Sequence, residues 1–420
     1  EQVKVQRDEA TIIGQAHRTS IHGAAFGNTE LIAALDMAPI NTPGHVAPYV
    51  VATALAIAEE GSLSGESVLA AVATGLEITA RVAGAMDSNR AVKNGQPHLS
   101  DVMGFATSIF GSTAAAAATR KLSADTTADA LGIAAGTSPV NALRAWQMHT
   151  PNTSVKYSLG GGLTLSALNA AYLADLGHRG DALLLEDPEY GYPRFIGTAR
   201  WDPATLTTCL GTEWRFPNGT HFKPYPHCRV THAPFDAVID IVATNRLKPE
   251  EIESLTVYGE AWTTGVPTYM NRVIERPYDS QFSFAHGLSV AAHLVPPGKD
   301  WQRKNVVYSD SVMDLMTRVK WQSHESWTAA IASDPSARPT RVEIVARGKT
   351  YIAERDYPKG SRSADPTTYM TTAELVEKFF HNAQDAISPH QAEVVVDSVL
   401  ALEKIDNIRD FMASLRPNLG

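Results

Sequence analysis

Hydrophobic and polar positions divide the chain into two stretches of different character. In residues 48–60 and 65–86, apolar side chains recur at i, i+3 and i+4, the period of one helix face. Residues 104–121 and 162–177 repeat the pattern. Alanine and glycine fill so many of these positions that the helices must approach closely, as a compact bundle rather than a sheet. Gly177 stands where the last of them would stop. The pattern changes near residue 200. Residues 200–232 carry Trp201, Trp214 and several prolines with little helical period, and residues 252–259 alternate as a strand does. Residues 341–353 read as two strands around a turn at Arg347-Gly348-Lys349. Helices return towards the end. Thr371 with Glu374, and Ser388 with Gln391, have capping-box spacing, Pro389 takes the favoured first helical position, and 389–415 predicts a helical segment free to pack back on the first half. The expected fold is mainly α. A large all-helical domain of residues 1–220 together with 366–420 carries an inserted, smaller α+β lid of residues 221–365.

Composition narrows the partners. A chain of 420 residues with 44% hydrophobic content can bury a large core in two domains, while only 19% charged residues leave much of the surface neutral or in a subunit contact. The net charge, 36 − 45 = −9, speaks against nucleic acid and anionic membrane surfaces. It leaves room for an acidic small molecule, because a few cations focused in a cleft outweigh a diffuse negative surface. Cys209 and Cys228 are too few for a disulfide framework or a thiolate metal site, as expected of reduced thiols in a cytoplasmic protein. The most apolar run, 68–86, is broken by Glu77 and Arg81, so no membrane span is expected. The opening EQVKVQRDEA is not a signal peptide and lacks an initiator Met, so the chain is expected to begin inside a longer protein.

HExxH, CxxC, GxSxG and P-loop signatures are absent. The triple glycine at 160–162 lacks Rossmann spacing and is better explained by tight helix contact. What stands out is a set of basic and histidine residues beside breaks: Arg144, His149 and Lys156; Lys223, His227, Arg229 and His232; Asp36 and His45 flanking a Pro-rich loop; and His98 ahead of an Ala-rich helix. Such a set suits a substrate with several carboxylates. Lysine and arginine neutralise them, and fixed cations stabilise the dianion formed when a proton α to a carboxylate is removed. A histidine can take or give that proton while another protonates a departing hydroxyl. His227 and His232, five apart, are not a helical metal pair, so neither metal nor cofactor is expected. Each residue also has a plain reading. Lone histidines are more often structural, Lys156 can snorkel, His149 can cap its turn, and Arg144 and Asp36 can serve helix ends.

The segment LRAWQMHTPNTSVKYSLGGG, from Leu143, resembles a stretch of the 2-methylcitrate dehydratase (MmgE/PrpD) family, which includes cis-aconitate decarboxylase and iminodisuccinate epimerase. The resemblance runs from about Gly23 to the C-terminus, with the family's usual first helices missing ahead of Glu1. It implies that Lys156 is an active-site lysine, as are Asp36, His45 and His98 at family positions, and that Lys223 is the lysine of the KPYP motif. Arg229 follows that motif, and DSQFSFAHGLSVAAHLV at 279–295 is similar to a further family segment. Three departures stand out. Asp36 leads into Met37-Ala38-Pro39-Ile40 rather than acidic residues and Thr; Val46 follows His45 in place of Pro; and His286 holds a position where relatives carry an active-site Tyr.

The resemblance implies a homodimer with its site between helical body and lid. It also implies a cofactor-independent lyase, most simply a hydro-lyase that dehydrates a small di- or tricarboxylate. Lys156, Lys223, His98, His45 and Asp36 would act in catalysis, and Arg144, His149, Arg229 and His286 in substrate binding. Decarboxylation or epimerisation needs the same carbanion stabilisation. Two further readings are a non-catalytic polycarboxylate binder, and a purely structural dimer whose basic residues are surface features.

Overall fold

A computed structural model describes residues 8–41, 44–88, 90–102, 104–139, 143–153 and 160–417. The first half is a bundle of α1 (Ile21–Ala34), α2 (Ala47–Glu60), α3 (Gly65–Gly84), α4 (Ser108–Arg120), α5 (Ala124–Gly136), α6 (Leu143–Met148) and α7 (Gly160–Asp175). Ser20, Ser64 and Ser123 cap α1, α3 and α5, each accepting from a first-turn backbone N–H that the helix itself cannot satisfy. Gly177, at φ 89°, lies just past the end of α7 in the left-handed conformation that glycine adopts freely.

The period of residues 48–60 predicts one buried face, but α2 is buried on all sides. From Ala47 to Glu59, Val51 is the sole residue not buried. A helix apolar all round belongs at the centre of a bundle, and α1, α3, α4 and α7 surround α2. Small residues permit that crowding: a Cβ on Gly111 of α4 would lie 1.9 Å from Thr79 Oγ1 and 2.3 Å from the Gly75 carbonyl of α3. Within the triple glycine, a Cβ on Gly161 would lie 2.5 Å from the Phe26 ring, and its N–H donates to Glu30 at 2.7 Å, which is the tight contact expected. The helix α3 is long and apolar enough to cross a membrane, yet half of that stretch is buried in the bundle. It also carries a buried ion pair, Arg81 Nε donating to Glu77 at 2.6 Å, which marks a core helix.

Of two short ladders, β1 (Ala10–Thr11) with β2 (Arg18–Thr19) packs on α1 and α2, while β3 (Ala91–Lys93) with β4 (Gln96–His98) meets residues 327–333 and 261–265 of the second half. The main sheet holds β5 (Ile252–Gly259), β6 (Val319–Ser323), β7 (Thr340–Ala346) and β8 (Lys349–Arg355) in the order β6-β5-β7-β8. Only the β5–β6 pair is parallel. Buried and half-buried residues alternate along β7, the pattern of a sheet with one face on a core. Helices His232–Asn245, Phe284–Ala292 and Asp310–Thr317 cover that face through Phe235, Leu288 and Leu315.

The chain then returns to the bundle. Helix Thr372–Ala383 starts with the complete capping box of Thr371 and Glu374. At Ser388 the second expected box is half formed. Ser388 accepts from the Gln391 N–H, but the Gln391 side chain turns away to donate to the Ser414 and Arg416 carbonyls, both at 2.6 Å. The segment 389–415 is likewise not one helix but Pro389–Leu400 and Ile408–Ser414, with Asn407 capping the second. Val395, Ile408, Phe411 and Met412 pack on Leu55 of α2 and Val68 of α3. The fold is mainly α.

Candidate active site

Asp36 lies two residues beyond α1, where its backbone adopts φ 55°. Left-handed backbone is costly for most residues and least so for Asp and Asn, so the chain turns sharply here without a glycine. The turn carries the Asp36 carboxylate fully into the interior. Lys223, in the proline-stiffened segment 222–232, donates from Nζ to Asp36 Oδ2 at 2.7 Å and is itself fully buried. His45, at the head of α2, brings Nε2 to 3.3 Å from Asp36 Oδ1. Three chain segments far apart in sequence thus meet on one carboxylate.

A buried ion pair is weak evidence for stability, because desolvating both charges offsets much of their attraction. Strained backbone and a buried charged pair in one residue are the features that function, rather than packing, tends to preserve. Burial lowers the Lys223 ammonium from its ordinary value, and Asp36 opposes that shift.

Around the pair the segment 222–232 is closely tied. His227 is bonded to the Ser283 carbonyl at 3.3 Å and the Thr231 hydroxyl at 2.8 Å, and His232 donates from Nε2 to the His227 carbonyl at 3.0 Å. Burial first, and cations second for His232, hold both rings neutral, His227 at about 3 and His232 well below its ordinary value. Arg229 is buried and donates to the Lys359 carbonyl and the Ser361 hydroxyl, both at 2.7 Å. The notion that the basic residues are surface features therefore fails for Lys223 and Arg229.

The other expected residues are placed as follows. His98 ends β4, opposite Ala91 and half-buried, and its side chain makes no hydrogen bond among the described residues. Arg144, on α6, donates to Gln147 at 2.5 Å and to Ser100 at 3.2 Å. Gln147 in turn donates to the buried Tyr269 hydroxyl at 2.6 Å, which lies 3.6 Å from the Cys228 thiol next to Arg229. That chain of polar groups joins two of the sequence clusters through a tyrosine that no motif marks. His149 is exposed just past α6. His286 is buried in helix Phe284–Ala292 and donates from Nε2 to the Val307 carbonyl at 3.0 Å. Lys156 lies outside the described residues. Among the described residues, no three His, Cys, Asp or Glu side chains are grouped as metal ligands.

Sequence reasoning missed a second basic group beside this centre. Glu260 is buried between Arg90, whose Nε donates to it at 3.0 Å, and Arg338. Burial raises its carboxyl, but the two guanidiniums hold it below the usual range. His221, two residues before Lys223, belongs with this group. Its backbone pairs with Ile40 on the loop that leaves Asp36.

The family model described as MmgE/PrpD N-terminal domain matches residues 1–204. The one described as MmgE/PrpD C-terminal domain matches residues 225–404. No curated protein matches the chain.

Proposed function

The chain belongs to the MmgE/PrpD family, and on that premise we propose that it is a cofactor-independent lyase of a small polycarboxylate, eliminating water as 2-methylcitrate dehydratase does. The family suggests dehydratase or lyase-type activity on small carboxylates. The observation that carries the finer reading is the buried Lys223–Asp36 pair with His45 on the other carboxylate oxygen.

In the proposed reaction a base takes the proton α to a substrate carboxylate. The electron pair left on carbon forms the double bond as the C–O bond breaks, and a histidine proton converts the departing hydroxide to water. Lys223 and Lys156 supply fixed positive charge to the enediolate-like species, a contribution commonly worth several kcal/mol. His98 and His45 are the proposed proton carriers, with Asp36 setting the charge and position of Lys223 and His45. Arg144, His149, Arg229 and His286 are assigned to substrate carboxylates. The proposal places the substrate between a helical body, residues 1–220 with 366–420, and a lid of residues 221–365, in a cytoplasmic homodimer. The packing of Val395 and Phe411 on α2 and α3 supports that division.

Incubation with 2-methylcitrate, cis-aconitate and iminodisuccinate, followed by NMR in deuterated water, tests the reaction. Alkene formation from methylcitrate is expected. Carbon dioxide release from cis-aconitate, or deuterium uptake at iminodisuccinate without net product, would replace dehydration with decarboxylation or epimerisation. Binding without turnover or exchange would leave only a polycarboxylate binder.

A further inference from the structure

A cavity of about 290 Å³ opens between the end of α3 and residues 335–338 and 361. Asn41 and Gly44, from the loop joining Asp36 to His45, form part of its wall, so cavity and catalytic centre share one loop. Four guanidiniums line it, those of Arg90, Arg200, Arg229 and Arg338. Four carboxylates act on this group among the described residues: Glu260 and Asp87, Asp236 on Arg229, and Asp334 on Arg90 and His221. Glu260 is held by Arg90 and Arg338, while Asp87 accepts from the Thr198 hydroxyl and the N–H groups of Ala199 and Arg200. Among the described residues the cavity lining itself carries these four guanidiniums and one carboxylate, that of Asp87. The crowding registers on the groups themselves. Burial, then Arg338, lowers Arg229 to about 9; burial, then Arg90, lowers Arg338 to about 10.

His221 supplies an independent observation. Its Nδ1 accepts from the backbone N–H of Arg362 at 3.1 Å, so the neutral ring carries its proton on Nε2. The ring lines the cavity, and Nε2 has no partner among the described residues. Burial first, then Arg229, Arg338 and Arg90, lowers its pKa to about 3, so at neutral pH His221 is an uncharged N–H donor on the cavity wall. An oxyanion in the cavity would accept from this N–H in a charge-assisted hydrogen bond.

We infer that this cavity binds a substrate carboxylate remote from the reacting carbon, with His221 and Arg338 as its recognition residues. The inference rests on the polycarboxylate reading above and adds a selection rule. On this inference a monocarboxylate leaves the cavity unfilled, whereas a di- or tricarboxylate can place a second carboxylate in it.

Propane-1,2,3-tricarboxylate tests this, because it carries the charges but no leaving group. Calorimetry gives its Kd, and ¹⁵N NMR of the histidine rings, with His221 assigned by its loss in His221→Gln, reports the contact. Binding is expected to shift the His221 Nε2 resonance, and His221→Gln and Arg338→Lys should each weaken binding about tenfold, the scale of one charge-assisted hydrogen bond. His221→Gln should retain the wild-type thermal midpoint. The inference is overturned by absence of binding, by binding that leaves His221 unmoved and both variants unaffected, or by a response to inorganic phosphate alone. Binding through His221 by a protein that turns over no substrate would keep the inference and remove the proposed reaction.

Discussion

Lys223 Nζ lies 2.7 Å from Asp36 Oδ2, and neither side chain has any exposure. Removing one member strands a buried charge, which costs about 3–5 kcal/mol, whereas removing both together is often close to neutral. Asp36→Asn and Lys223→Met should therefore each destabilise on that scale in urea unfolding, and the double variant should regain most of the loss. Activity should fall about a hundredfold or more in all three, since stability returns without the chemistry. An active double variant would reduce the pair to a structural contact.

Gly44 lies one residue before His45. A Cβ there would fall 1.7 Å from Phe105 Cε1, so Gly44→Ala must push the Phe105 ring, whose centroid is 6.0 Å from that of His45. The expected result is a loss of about 1–3 kcal/mol from overpacking and a fall in kcat of about tenfold as His45 moves off Asp36. Gly27→Ala is the control. Its nearest neighbour is the Ile12 side chain, at an ordinary 3.5 Å, and inside α1 it should stabilise by up to about 1 kcal/mol with kcat unchanged.

How much of this was legible in the sequence depended on where the information is stored. Periodicity marked β5 at Ile252–Gly259, the β7–β8 hairpin and the helices of the bundle, because each pattern is local. It misjudged α2, since small residues let neighbours cover faces that a moment-like pattern treats as solvated. Gln391 had box spacing but found better acceptors in a later helix end, a tertiary competition no window contains. The residues of the Asp36 centre stood out beside breaks in the pattern, and the resemblance named them again as site residues. Their meeting, 187 positions apart for Asp36 and Lys223, is a property of the fold. Arg90, His221 and Arg338 carried no signal at all, because they come from loops with neither period nor motif and acquire meaning only by converging.

Three histidines give the protein an acid liability. His221 and His227 are lowered to about 3 and His232 well below its ordinary value, burial being the first cause in each. An unfolded histidine binds a proton below about pH 6.5, while folded His221 and His227 do not until near pH 3 and folded His232 is held well below its ordinary value. The unfolded state thus holds more protons in that window, and stability, fully present above pH 6.5, is lost as pH falls. Near pH 5 the three together give a slope of up to about 4 kcal/mol per pH unit. Urea unfolding between pH 7.5 and 5 measures it; His232→Asn should remove about a third of the slope, and a flat profile would show that the rings protonate in place.

Lys378 shows the same linkage at the alkaline end. Its Nζ donates to the Met37 carbonyl at 2.7 Å, immediately after the left-handed Asp36, and so braces the turn that positions the carboxylate. Burial, and then the charge of Lys223, lowers it to about 8 against an ordinary 10.5. Between those values the unfolded chain holds a proton that the folded chain has released, so stability should rise as pH climbs from 8 towards 10.5. In Lys378→Met that rise disappears, and the gap between the two proteins, followed by urea midpoints, should move in favour of wild type by about 1–3 kcal/mol across the window. If Lys378 also braces Asp36, the variant's kcat at pH 7.5 should drop several-fold with little change in KM, because the misplaced group acts in the transition state rather than in binding. Equal midpoints at both ends of the window would mean that Lys378 stays charged throughout and that its hydrogen bond to Met37 outweighs the cost of burial.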